Sequence, residues 1–181
     1  GGYYATAGFA DYPPAYLLVL WPIGLISNAI GGGDAVGVAT DGEPDATLHC
    51  PAAWREQARA LLGAPGPWIG VNAGAFYGSA KRWLPERYAA AAEGLAERCE
   101  ARVVLVGGPQ ERGLAETVAR AMRQAPLNLC GETTLQQLIG VTATLRLLLT
   151  NDSGPMHLAA ALGTPVVAVF GSTDWRETAP F

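Results

Sequence analysis

The sequence is poor in lysine, histidine and cysteine. Of 181 residues one is lysine, Lys81, two are histidine, His49 and His157, and three are cysteine, Cys50, Cys99 and Cys130. The cysteines stand far apart with no C-x-x-C pair. That pattern fits buried free thiols in a reducing compartment rather than a disulfide framework. Two histidines and no paired cysteines leave no zinc-ligand spacing. Lys and Arg are absent from residues 1–54, which hold five acids: Asp11, Asp34, Asp41, Glu43 and Asp45. The remainder holds all 12 bases and 11 acids. Net charge is −4 and the isoelectric point about 5.1, which argues against a general nucleic-acid binder. The near-neutral remainder is the place to look for an anion site.

Long hydrophobic runs are also missing. Ala15–Ile26 is apolar over 12 residues and carries Pro22 and Gly24. A spanning helix needs roughly 20 such residues. No positive segment precedes the run, so it does not read as a signal peptide. A buried or partner-facing segment is expected. Neither G-x-G-x-x-G nor G-x-x-x-x-G-K-[ST] occurs, so the dinucleotide fingerprint and the Walker loop are unsupported. The sequence opens with Gly1-Gly2 and stops at Pro180-Phe181 after a loop-like stretch, which leads us to expect a piece of a longer protein.

What is present is a packed α/β domain. Half the residues are hydrophobic and 15% are charged, so a core is feasible. Residues 1–65 carry a weak pattern. Gly31-Gly32-Gly33 and Asp41-Gly42-Glu43-Pro44-Asp45 read as turns, and the acids of the second as loop residues before metal ligands. Residues 51–62 predict a helix with Pro51 in its first turn and Gly63 after its end. Ala64-Pro65-Gly66-Pro67 is the expected linker, dividing 1–65 from 66–181.

From Trp68 onward strands alternate with helices. Strands are predicted at 68–72, 102–106, 127–129, 145–150 and 166–170. Helices are predicted at 85–100, 111–124, 134–144 and 155–162. The 85–100 stripe holds Tyr88, Ala91, Ala92, Leu95, Ala96 and Cys99; the 134–144 helix carries Leu135, Leu138 and Ile139 on one side, with Thr142 next on that stripe, so its apolar face is short. Continuous apolar strands between amphipathic helices indicate a doubly wound parallel sheet covered on both faces.

Ligands of such sheets bind beyond the strands' carboxyl ends. Four Gly-bearing loops follow the strands: 73–84, 107–112, 151–154 and 171–181. The strongest constellation is Thr150-Asn151-Asp152-Ser153-Gly154-Pro155-Met156-His157. Asp152 or Ser153 would cap the next helix and Pro155 suits its first turn, leaving N–H groups and the positive dipole end as an anion cradle. His157 on that first turn is placed to hydrogen-bond a phosphate; a capped helix with a buried histidine is the plainer reading. Ser153 lacks a G-x-S-x-G elbow, which disfavours a hydrolase. In Gly74-Ala75-Phe76-Tyr77-Gly78-Ser79-Ala80-Lys81-Arg82-Trp83, small residues allow close backbone approach and Lys81 would neutralise a diphosphate. Arg82 and Trp83 are read as packing. Glu111 suits either a ribose hydroxyl or a solvated first-turn acid. Ser172 and Thr173 are read as sugar or phosphate contacts or as turn residues.

Four segments, in order and at matching spacing, resemble motifs of the ADP-heptose:lipopolysaccharide heptosyltransferases, glycosyltransferase family 9. They are Asn72–Ala75 with Ala80–Trp83 and Pro85–Tyr88, Leu105–Pro109, Thr150–Pro165, and Phe170–Asp174. The resemblance covers about residues 66–181 and is strongest to the heptosyltransferase II type. It implies the C-terminal, donor-binding half of a two-domain GT-B enzyme with a Rossmann-like sheet, truncated at its C-terminus, with 1–65 a remnant of the N-terminal domain and the interdomain linker. It implies inverting, metal-independent heptose transfer to the lipopolysaccharide inner core at the cytoplasmic face of the inner membrane, with no cofactor. Gly74, Ala75, Lys81, Glu111, Asp152, Ser153, Gly154 and His157 would contact ADP-heptose, Lys81 stabilising the leaving diphosphate. The general base and the membrane contact would lie in the missing domain, and the fragment alone would be inactive. By analogy with oxyanion donors, losing one such contact corresponds to about 2.7–4 kcal/mol of barrier. Departures from the pattern are Ala73, Leu84 and Trp175, each where the family has proline. The rival readings are another GT-B enzyme such as a UDP-sugar epimerase or transferase, a non-catalytic nucleotide-binding fragment, and a plain α/β interaction domain.

Overall fold

The computed structural model describes residues 17–21, 47–75 and 81–180, the first of these as backbone only. The Gly31 and Asp41–Asp45 turns and residues 76–80 of the first loop lie outside the described residues. Six strands form one sheet in the order β1-β6-β5-β2-β3-β4. They are β1 (Leu17–Trp21), β2 (Trp68–Asn72), β3 (Arg102–Leu105), β4 (Leu127–Asn128), β5 (Leu147–Asn151) and β6 (Val166–Phe170). The helices are α1 (Ala52–Leu62), α2 (Pro85–Cys99), α3 (Arg112–Ala121), α4 (Leu135–Thr142), α5 (Gly154–Ala161) and α6 (Trp175–Thr178).

Strands β2 to β6 are parallel, as crossover helices require. Their residues alternate between two cores. Ile69, Val71, Val103, Leu105, Leu147, Leu149 and Val167 face one cluster with α2 and α3. Val104, Leu148, Val166, Ala168 and Phe170 face a second, with α1, α4 and α5. The strands therefore read as unbroken apolar runs because both of their faces are buried.

Two elements depart from the sequence reading. The apolar run near the start supplies β1, which pairs antiparallel with β6, Leu17 opposite Phe170 and Trp21 opposite Val166. The tail after β6 contains the one-turn helix α6, opened by Asp174, whose carboxylate accepts the Arg176 backbone N–H at 3.0 Å. One expected face is also corrected. Leu135 is 68% exposed, whereas Leu138 of the same stripe packs against the second core and Thr142 is buried, together with Gly140 and Val141. The reason is the contact with α1. A Cβ on Gly140 would sit 2.3 Å from the Trp54 carbonyl oxygen, so only glycine lets the helices approach this closely. That contact turns Gly140 and Val141 inward and Leu135 out. Arg55 of α1 reinforces it by donating to the Ala143 carbonyl at 2.6 Å. Helix α1 is thus packed on the same layered unit as the strands that follow it, and Gly63, left-handed at φ 67°, turns the chain toward β2.

All three cysteines are buried and free, as the spacing predicted.

Candidate donor-binding site

The carboxyl ends of β2, β3, β5 and β6 bring the four predicted loops to one edge. Its foundation is a set of polar residues that end apolar strands. Asn72, Thr150, Asn151 and Asp152 are all buried. Asn72 Nδ2 donates to the Val106 carbonyl at 3.1 Å, which ties β2 to the loop after β3. Its Oδ1 lies 3.3 Å from Thr150 Oγ1 and 3.2 Å from Ser153 Oγ. Asn151 Nδ2 donates to the carbonyls of Ala73 at 2.8 Å and Gly74 at 3.1 Å. Asn151 Oδ1 accepts the Trp83 backbone N–H at 3.3 Å and the Tyr88 hydroxyl. Burial raises the Tyr88 pKa well above the phenol range, so it stays a donor. Trp83 meets the Tyr88 ring edge-on, with centroids 5.3 Å apart, which bears out its reading as packing.

Lys81 and Asp152 are brought together from loops 71 residues apart. Lys81 Nζ donates to Asp152 Oδ2 at 2.8 Å, and the Thr173 hydroxyl donates to the same oxygen at 2.7 Å. Burial alone would raise the Asp152 pKa, but the hydrogen bonds from Lys81 and Thr173 outweigh it and hold the carboxyl below its ordinary range. Lys81 is therefore not a free cation, and Asp152 does not cap the following helix as the sequence suggested. Ser153 occupies the N-cap position of α5, but its side chain makes no capping bond, because Oγ is turned to Thr150 and Asn72. The α5 N-terminus is left without a side-chain cap. Open space surrounds Gly154, where an added Cβ would meet nothing within 4 Å. His157 sits on this first turn and is exposed, contrary to the reading of a buried histidine.

Gly74 and Glu111 meet on the other flank. A Cβ on Gly74 would lie 1.7 Å from Glu111 Oε1, so glycine is what admits this carboxylate beside the β2 loop. Glu111 Oε2 accepts the Gly108 N–H at 2.8 Å. Ala75 beside Gly74 is buried, and its carbonyl accepts Arg82 Nη2 at 3.3 Å. Cys130 lies below; burial first, and the Glu111 charge second, push its thiol up to about 11, so it is a protonated, inert group. Thus seven of the eight predicted site residues line or abut one edge through named contacts or neighbours, and His157 adjoins it on α5.

Two hollows lined by described residues lie away from this edge. One of about 770 Å³ is lined by Arg55, Arg59, Trp68, Ala143 and Thr144, and another of about 600 Å³ by Glu93, Arg102, Arg123 and Pro126 among others, both at the strands' amino ends. Among the described residues no group of three or more His, Cys, Asp or Glu stands together as a metal site. Among the same residues no helix is long and apolar enough to cross a membrane. Sequence reasoning passed over Asn72, Asn151 and Tyr88. The available signal was an asparagine at the end of each of two strands that begin as apolar runs.

A profile of glycosyltransferase family 9 (heptosyltransferase) matches residues 33–181. Lipooligosaccharide heptosyltransferase 2 of Haemophilus influenzae is 38% identical over 129 residues, which cover 69% of this chain and 37% of that protein. The chain thus spans little more than a third of that relative's length. Among solved structures, E. coli ADP-heptose lps heptosyltransferase II superposes with a TM-score of 0.62 at 33% identity, covering 67% of this chain and 38% of that one. E. coli heptosyltransferase WaaC with ADP gives 0.55 at 25%, covering 68% and 39%. These neighbours agree with a Rossmann-like half of the GT-B fold. With a match across most of its length, this chain belongs to glycosyltransferase family 9, the heptosyltransferases.

Proposed function

We propose that this chain is the donor-binding part of a heptosyltransferase that moves heptose from ADP-heptose to a lipid-linked lipopolysaccharide core acceptor, with inversion at the anomeric carbon. The observation that supports it most is the Lys81–Asp152 pair beside the uncapped N-terminus of α5, at the carboxyl edge of the sheet. An ammonium has three donors. Asp152 takes one and fixes the direction of the group, which leaves two for diphosphate oxygens. The α5 N-terminus adds backbone N–H donors and the positive end of its dipole. Together they meet the charge that develops on ADP as it departs, with no metal and no cofactor. Gly74, Ala75, Ser153 and Gly154 keep the backbone close to the nucleotide, His157 reaches it from the first turn, and Glu111 faces the ribose.

Asp152 is unsuited to be the general base. Its pKa is lowered, and one carboxylate oxygen is held by Lys81 and Thr173. The base and the acceptor site belong, in this proposal, to a partner domain, and so does contact with the cytoplasmic face of the inner membrane. The chain alone binds donor and transfers nothing.

Calorimetric titration of the purified chain with ADP and, separately, UDP, in EDTA, tests this. Binding of ADP and not UDP is expected. A preference for UDP would move the reading to another GT-B enzyme. A folded chain that binds neither would overturn a self-sufficient donor site.

A further inference from the structure

We propose that Asn151 is a positioning residue for the donor site and that it acts through Lys81. The proposal rests on the donor-site reading above. Asn151 is wholly buried and spends its whole hydrogen-bonding capacity on the 73–84 loop and the helix that follows it. Its two N–H donors go to the carbonyls of Ala73 and Gly74, and its oxygen accepts the Trp83 N–H and the Tyr88 hydroxyl. Those partners flank Lys81 in sequence, on its amino side at 73–74 and on its carboxyl side at 83. The next residue, Asp152, takes the ammonium itself. Two consecutive residues at the end of β5 therefore hold the loop: one grips its backbone at both ends, the other its charged tip. Arg82 adds a cross-tie within the loop by donating to the Ala75 carbonyl.

An amide is the side chain that suits this place. It offers two donors and two lone pairs at once. Aspartate in the same volume has no donor for the two carbonyls and would face them with charge. The tie also has a fixed base, because Thr150, the preceding residue, is paired in register with Asn72 of the neighbouring strand. Displacement of Lys81 is thereby transmitted to, and resisted by, the central strands of the sheet.

The test is a double-mutant cycle on ADP affinity, with a spectroscopic readout of the ammonium. Asn151→Asp is expected to weaken ADP binding about tenfold, and Tyr88→Phe, which removes one oxygen and keeps the packing, about threefold. In a Lys81→Ala background both losses should shrink to within about 1.5-fold, since the residue they position is gone. Equal losses in both backgrounds would overturn the proposal, because a merely structural role costs the same with or without Lys81. Lys81 is the single lysine. Reductive methylation with 13C-formaldehyde therefore yields two signals, Lys81 and the amino terminus. The Lys81 signal should shift or split in the folded Asn151→Asp and Tyr88→Phe chains. If the unsubstituted chain binds no ADP, the donor-site reading falls, and the placement of Lys81 by Asn151 is decided by this signal alone: a change supports it and an unchanged signal ends it.

Discussion

The two edges of the sheet place their polar groups differently. At the carboxyl edge Asn72, Thr150, Asn151 and Asp152 are buried and bonded to one another's loops, and among the described residues a hollow between Gly74, Glu111 and Cys130 measures about 10 Å³. At the amino edge, hollows lined by described residues reach about 770 and 600 Å³, and charged groups around them include Arg123, exposed and paired with half-buried Glu93 and exposed Glu97. Buried, fully partnered polar groups mark where a fold has fixed a geometry at the cost of core, and such networks are high-stakes when disturbed.

The first way to break the contrast is to cut that network. Asn72→Ala removes the partner of Val106, Thr150 and Ser153 together, and is expected to lower stability by about 3 kcal/mol in a urea titration. A loss well under 1 kcal/mol would mean that the buried edge is no more demanding than the open one. Next comes Lys81→Ala, which should weaken ADP by about thirtyfold in calorimetry, the worth of a charged hydrogen bond of about 2 kcal/mol.

Acid gives a smaller effect of defined sign. The Asp152 pKa is lower folded than unfolded, so its contribution is complete above the ordinary carboxylate range and is lost as pH falls through the depressed value. Lys81 is 25% exposed, and solvent screening holds the pair to about 1 kcal/mol or less. Denaturation of Asp152→Asn beside the unsubstituted chain should show a gap at neutral pH that closes in acid. The smallest effect belongs to the amino edge. Arg102, 5.8 Å over the Trp68 ring, should cost about 0.5 kcal/mol on change to alanine and leave ADP affinity within about twofold. A large loss of ADP binding there would refute the assignment of the site to the opposite edge.

How much of this was legible in the sequence follows from the same contrast. Strands β2 and β6 match the predicted bounds, because an apolar run buried on both faces announces itself. Helix α1 comes within one residue, starting at Ala52 with Pro51 as its N-cap and ending before Gly63. The 150–157 motif named the right turn but the wrong bonds. Asp152 and Ser153 have capping chemistry, and only the tertiary fold shows that Lys81, Thr173, Thr150 and Asn72 outcompete the helix for them. Leu135 misled because its stripe is covered only farther along α4, where Leu138 and Thr142 pack. The pairings of Asn151 with 73, 74, 83 and 88 span too great a sequence distance for any local rule. The run at 15–26 gave no strand signal of its own because β1 is defined by its partner, β6.

That partner strand has a consequence for solubility. Val166–Phe170 is Val-Val-Ala-Val-Phe, four of its five residues of high β propensity, with no charge and no proline. Strand β1 pairs along its whole length. Without those five residues the same row of backbone donors and acceptors would be an open template for another copy, the composition that cross-β stacking favours. Pairing with Leu17–Trp21 satisfies that row of groups, and a shortened chain beginning after Trp21 would leave β6 as an open edge.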